Sequence, residues 1–259
     1  MIQRKVGDRW LDYFEREGGN PYANPNVKKS FFTRFIRGPY IQHIARYAQL
    51  PPGARVIEVG CGSARFTACL AILGHDATAL DISPAMLANA LDLKRQAERF
   101  FGPLKISTMQ GDLEKGLEIL DNSYDLVFNE GVVEHWLDDA ERHHVFSEVA
   151  RITKPGGVMA TIVPNGGHPW IDYWEKHNLA ILAAPPMTYF NVAKLRYEME
   201  QVGIRQICTD GVYPWHTIDW GHPSRLRYVI GGALNKTVPL PKFIREKWGI
   251  MIIGIGRKV

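Results

Sequence analysis

The chain has 259 residues, 46% hydrophobic and 22% charged, ordinary values for a globular protein that exclude disorder for most of its length. Its 31 Lys and Arg against 27 Asp and Glu leave a net charge of +4, too weak a balance for the basic stripe of a nucleic-acid binder. Three cysteines (Cys61, Cys69, Cys208) with no CxxC pair exclude a disulfide framework and supply no metal motif. The longest apolar run falls far short of the ~18 residues of a membrane span and the start lacks the apolar core of a secretory signal, so a reducing cytoplasm is expected.

Residues 1–53 are aromatic-rich and read as a helical cap. A turn-rich break at Asn20-Pro21-Tyr22-Ala23-Asn24-Pro25-Asn26 precedes a helix to Arg37 and a second helix opened by Pro39 at its first position. Pro51-Pro52-Gly53 closes the cap. Val56-Ile57-Glu58-Val59 then reads as a buried strand, and Ser63 to Leu73 as a helix stopped by Gly74. Asp76 to Asp81 is a second strand, with Ser83-Pro84 as cap and first turn of a helix to about Phe100. Strands follow at Leu104–Met109 and Tyr124–Asn129, then a helix over Asp138–Ile152, a turn at Lys154-Pro155-Gly156-Gly157 and a strand over Val158–Val163.

Beyond Pro164 the rhythm loosens. Inserts are expected at about 165–190 and 212–248, around a helix capped by Asn191 and a strand from Gly203 to Thr209, with a last strand at Ile250–Ile255. Strands alternating with helices at this spacing imply right-handed βαβ units. The fold class is therefore α/β, with a doubly wound, mostly parallel sheet over residues 54–259.

The most informative stretch is Glu58-Val59-Gly60-Cys61-Gly62-Ser63-Ala64, a strand running into a glycine turn and a helix N-terminus. Glycine lets the backbone bend tightly and approach a ligand, and the helix end offers unpaired N–H groups. Asp81 follows at the tip of the next strand, where it can accept from both hydroxyls of a ribose. A dinucleotide fingerprint wants a third glycine where Arg65 stands, which fits poorly. The loop alone leaves nicotinamide and sulfonium cofactors both open.

The string resembles the E/D-x-G-x-G-x-G loop of class I S-adenosylmethionine-dependent methyltransferases, with Ala64 in place of the last glycine. Four further segments match that family in order. They are Asp81-Ile82-Ser83-Pro84-Ala85-Met86-Leu87, Gly111-Asp112-Leu113, Tyr124 to His135 with its Glu134-His135 pair, and Ile152-Thr153-Lys154-Pro155-Gly156-Gly157. The resemblance implies a Rossmann-like sheet of seven strands, the last antiparallel, and S-adenosyl-L-methionine as cofactor. It also implies roles. Gly60, Cys61 and Gly62 would line the methionine moiety and Glu58 would orient the loop. Asp81 would hold the ribose, Ile82 and Met86 would lie near the adenine, and Gly111, Asp112 and Leu113 would complete the adenine site. Asn129 or Glu130 would sit at the methionine end.

On the acceptor side, His135 is the candidate general base, beside its alternative as a structural support of the pocket. A second group, Tyr213-Pro214-Trp215-His216-Thr217-Ile218-Asp219-Trp220-Gly221-His222, offers His216 for catalysis and Tyr213, Trp215, Trp220 and His222 as a substrate lid, or else as an aromatic mini-core. Asn129-Glu130-Gly131-Val132 replaces the N/D-P-P-Y segment of nucleic-acid amino-methylating relatives, which with the weak charge favours a small-molecule methyl acceptor. A protein or tRNA methyltransferase and a non-catalytic cofactor-binding module are the alternatives. Oligomeric state leaves no mark in the sequence.

Overall fold

The computed structural model describes residues 5–16, 26–176, 186–215 and 225–259. The first half comprises α1 (Val6–Arg16), α2 (Lys29–Ile36), α3 (Pro39–Ala48), β1 (Arg55–Val59), α4 (Arg65–Ile72), β2 (Asp76–Asp81), α5 (Pro84–Phe101) and β3 (Ile106–Gln110). There follow β4 (Tyr124–Glu130), a 3-10 turn (Val133–His135), α6 (Asp139–Ile152), β5 (Thr153–Pro164), α7 (Ile171–Lys176) and α8 (Val192–Gln201). The chain ends with β6 (Ile204–Val212), α9 (Arg225–Thr237), α10 (Lys242–Trp248) and β7 (Met251–Lys258). The expected break at 20–25, and His216, Trp220 and His222, lie outside the described residues. Among the described residues no helix is long and apolar enough to cross a membrane.

The seven strands run in the order β3-β2-β1-β4-β5-β7-β6. The pairs from β3 to β5 are parallel, and β7 is antiparallel to both its neighbours. This is the doubly wound sheet that the βαβ rhythm predicts. Each strand alternates its side chains between two layers. Val56, Leu126, Phe128 and Ile253 bury into one cluster with Phe32 of α2, Ile41 and Ile44 of α3 and Phe66 of α4. Ile57, Val59, Val127 and Ile252 face the other layer with Phe146 and Val149 of α6, Leu195 and Met199 of α8, and Val6 of α1. Strand order reverses between β1 and β4, which opens a crevice at their carboxyl ends.

Several boundaries differ from the sequence expectation for physical reasons. α4 starts at Arg65 because Ala64 adopts a left-handed backbone (φ 52°) that ends the preceding turn. Ser83 caps α5 with no side-chain bond; the nearby carboxylate of Asp81 takes its backbone N–H instead. The expected turn at Lys154–Gly157 lies within β5, where pairing with β4 begins at Tyr124–Thr153, breaks, and resumes at Leu126–Val158. β6 continues to Val212 because β7 supplies a pairing partner there, Met251. The segment read as one aromatic, proline-rich stretch holds α9 and α10. By contrast Asp138 and Asn191 cap α6 and α8 with side-chain bonds to backbone N–H groups, as their residue types direct.

One polar knot ties α3, β6 and α10 together. Asp210 accepts from His43 Nε2 at 2.9 Å and from Arg245 Nε at 2.8 Å, with a second bond from the other end of the guanidinium. Burial pushes the Asp210 carboxyl up, but the bonds from His43 and Arg245 outweigh it and hold it down at about 2. A folded-state value below the ordinary 3.8 adds stability that is complete above that value and disappears as pH falls through about 2. Asp210→Asn should therefore lose about 1.5–3 kcal/mol at pH 7, read from urea midpoints. The gap between wild type and variant should shrink between pH 4 and pH 2. A constant gap over that range would show that the carboxylate charge is not what the knot depends on.

Candidate functional site

The turn after β1 is shaped by three left-handed residues, Gly60 (φ 69°), Gly62 (φ 47°) and Ala64 (φ 52°). A Cβ on Gly60 would stand 2.5 Å from Val132 Cγ2, so glycine is needed there both for its conformation and because the loop lies against the turn that follows β4. At Ala64 the sequence reading treats alanine for glycine as a mild departure unless the backbone needs positive φ. The structure shows that it does, at a cost of about 1–2 kcal/mol.

The loop is held from β2. Asp81 accepts from Gly62 N on Oδ2 and from Ser83 N on Oδ1, both at 2.9 Å, while Cys61 N donates to Leu80 O at 2.9 Å. Burial raises the Asp81 carboxyl, and bonds from the backbone of Ser83, Gly62 and Ile82 oppose that rise. Glu58 is buried beneath the loop, where Thr67 of α4 donates to Oε2 from its N (2.8 Å) and from its hydroxyl. Burial pushes Glu58 up to about 8, against these bonds. The nearby Arg65 guanidinium also opposes the rise, but burial outweighs both.

A cleft of about 370 Å³ opens here, at the crevice between β1 and β4. Glu58, Gly60, Cys61, Gly62, Asp81, Ile82, Gly111, Asp112, Leu113, Glu130 and His135 all border it. Other expected residues are placed elsewhere. Met86 is fully buried on the α5 stripe it shares with Ala90, Leu93 and Ala97, a core position at helical spacing. Asn129 is fully buried too, with Nδ2 donating to Thr161 Oγ1 at 3.2 Å; the alternation of β4 sends Glu130 to the cleft and its neighbour into the sheet. Tyr213 packs edge-on against Tyr40, ring centres 5.6 Å apart, because β6 delivers it to the layer beside α3. Trp215 donates from Nε1 to Val238 O, and its N donates to Asn235 Oδ1, each at 3.2 Å. Tyr213 thus packs on α3 and Trp215 on the end of α9, and neither is among the described residues that border the cleft.

The sequence reading assigned no role at this site to the α1 residues. Val6, Gly7 and Trp10 form one wall. Val6 N donates to Glu114 Oε1 at 2.6 Å, Arg9 donates to His135 O at 3.1 Å, and Trp10 meets the His135 ring edge-on at 4.8 Å. The spacing of Val6, Trp10 and Tyr13 signals an apolar helix face, but not its docking place. Arg65, first seen only as a missing glycine, borders the cleft with Nη2 2.8 Å from Glu130 Oε2. Glu134 also borders it and is 1% exposed. Among the described residues its Oε2 has no hydrogen-bond partner, and burial pushes its carboxyl up to about 8.

Residues 57–161 match the family described as a methyltransferase domain. The chain is 30% identical over 158 residues to malonyl-[acyl-carrier protein] O-methyltransferase of Serratia marcescens, covering 58% of this chain and 56% of that one. It is 29% identical over 163 residues to 2-methyl-6-phytyl-1,4-hydroquinone methyltransferase of Synechocystis, covering 60% of this chain and 47% of that one. It thus spans about half the length of these relatives. Among solved structures, phosphoethanolamine N-methyltransferase 2 of Haemonchus contortus, in complex with S-adenosyl-L-methionine, shares its fold with a TM-score of 0.60 and 17% identity, over 99% of this chain and 60% of that one. A protein from Pyrococcus horikoshii OT3 does so with a TM-score of 0.62 and 13% identity, over 96% and 99%.

The contact of Gly60 with Val132 permits a two-part test. Gly60→Ala should destabilise by about 2–3 kcal/mol, part from strain at positive φ and part from the clash. Adding Val132→Ala should recover the clash and leave the strain, giving a favourable coupling of about 1 kcal/mol in a double-mutant cycle of melting curves. Strict additivity would show that the loop and the β4 turn do not press on each other.

Proposed function

Since this chain belongs to the class I S-adenosylmethionine-dependent methyltransferases, we propose that it transfers a methyl group from that cofactor to a small-molecule acceptor held in the β1/β4 cleft. The observation that carries this reading is Asp81. Its carboxylate lies at the cleft floor, bonded to the glycine loop on one oxygen and to the start of α5 on the other. Each oxygen keeps a lone pair, so the group can still accept from two ribose hydroxyls.

The glycine turn around Gly60, Cys61 and Gly62 offers backbone to the methionine end, with Glu58 beneath it. Ile82, Gly111, Asp112 and Leu113, at the ends of β2 and β3, fit the adenine. Glu58 supports this fit as a buried acid that a nearby ammonium would return to its charged form. The cleft volume lies within the range of small-molecule sites, which favours a small acceptor over a macromolecular one.

The cofactor brings a methyl group on positively charged sulfur, so the chain need only align an attacking atom with it. Alignment of this kind lowers a barrier by about 7–11 kcal/mol. Val132, His135 and Trp10 form a shaped wall for that purpose. His135, expected as a base, is 2% exposed, with its ring against Trp10 and Nδ1 3.4 Å from Pro186 O. Its surroundings fit a positioning role.

Calorimetry with S-adenosylhomocysteine tests the assignment. Asp81→Ala should weaken binding at least tenfold, about 1.4 kcal/mol or more, with the melting curve recorded alongside to account for the lost loop bonds. An unchanged dissociation constant would overturn the ribose role of Asp81.

A further inference from the structure

We propose that α9 and α10 form a docking surface for a bilayer rich in acidic lipids, with one face of α9 and Phe243 of α10 entering the headgroup layer. Among the described residues neither helix borders the β1/β4 cleft, so the proposal goes beyond the methyl-transfer reading and stands without it.

Exposure marks the surface. Leu226 and Phe243 are 68% and 71% exposed, and Val229, Ile230 and Val238 are exposed with them. Among the described residues, five of the fourteen large apolar side chains left exposed fall within residues 226–243, and the rest are spread along the chain. On α9, Leu226, Val229, Ile230 and Ala233 recur at three- and four-residue spacing, which makes them one stripe along the helix. The other side holds the helix to the protein: Gly231 is buried there, and Asn235 accepts from Trp215 N. A helix anchored by one face with an apolar stripe on the other is built to meet a partner.

Charge identifies that partner. Residues 225–247 hold six Lys and Arg and a single acid, Glu246, a net of +5. The rest of the chain holds 25 against 26, a net of −1. The positive excess of the whole protein therefore lies in this segment. Two of its six cations have internal partners, Lys242 on Glu246 and Arg245 on Asp210. Arg225, Arg227, Lys236 and Lys247 remain, and the segment has no further acid to match them. Helical spacing puts positions 225 and 236 along one border of the α9 stripe and position 227 along the other. Lys247 is exposed one turn after Phe243.

An apolar stripe bordered by basic positions is the pattern of a helix lying in the plane of a bilayer surface, with its aliphatic groups at the acyl boundary and its cations among the headgroups. A nucleic acid would take the charge and leave the stripe in water. A second copy of this chain would cover the stripe but set like charge against like. Acidic lipid satisfies both features at once. The protein lies on such a bilayer, since no described helix is long and apolar enough to cross it.

The test is sedimentation of the full chain with vesicles of phosphatidylcholine, either alone or with about one-third phosphatidylglycerol. Wild type should pellet with the acidic vesicles and bind the neutral ones about tenfold or more less tightly. Raising the salt from about 0.1 M to about 0.5 M should weaken binding to acidic vesicles by about tenfold. Leu226→Ser/Phe243→Ser and Lys236→Glu/Lys247→Glu, checked by melting curves, should each lose about tenfold or more on acidic vesicles. Wild type that stays in solution, or that binds neutral vesicles equally well, would overturn the proposal even where a variant fails to fold. So would a folded Leu226→Ser/Phe243→Ser variant with undiminished binding. A wild-type dimer in sedimentation velocity that this variant returns to monomer would assign the stripe to a second copy and overturn the lipid assignment.

Discussion

The carboxylate of Asp81 accepts from the backbone of Gly62 on one oxygen and from that of Ser83 on the other, and so joins the ends of two neighbouring strands. Without it the turn after β1 would keep the Cys61 N–Leu80 O bond to β2 but lose the one from Gly62, and Ser83, the N-cap residue of α5, would lose the acceptor of its N–H. The residues on this side of the cleft are placed relative to this group. The glycines hold the backbone close on one side, and the ends of β2 and β3 bring Ile82 and Asp112 on the other. Because the bonds are made by backbone N–H groups, the geometry is set before any ligand arrives.

A second constraint is burial of acid. Glu58 and Glu134 are both pushed up to about 8 by desolvation, one under the glycine loop and one at the turn after β4. Desolvation thus favours the neutral form of both acids. Arg65, the one guanidinium that borders the cleft among the described residues, is held by Glu130 and stacked near Phe35 and Phe66, so it stiffens the wall more than it balances the acids.

Much of this was legible in the residues themselves. β-branched runs separated by helical spacing announce a parallel sheet, and the glycine turn followed by Asp81 marks the crevice, because strand periodicity and glycine conformations are local properties. The motif segments at Gly111–Leu113 and at the end of β4 likewise come to the cleft because each directly follows a strand whose carboxyl end faces it. Where the sequence left alternatives open, a local signal had two physical readings. Met86 suits both an adenine contact and a helix core. Tyr213 and Trp215 suit both a lid and a clamp, and contacts with Tyr40 and Val238 select the clamp.

The sequence by itself determined the strands and their alternation, the tight turn after β1, and the acid at the tip of β2, since each depends only on residues adjacent along the chain. The tertiary structure decided which distant residues meet there: α1 laid against His135, Arg65 turned onto Glu130, Ala64 held in a left-handed backbone, and Glu134 sealed from water with one oxygen unmet. Burial and contact across the chain belong to the packed whole, because they follow from which surfaces cover one another, and no local pattern carries that.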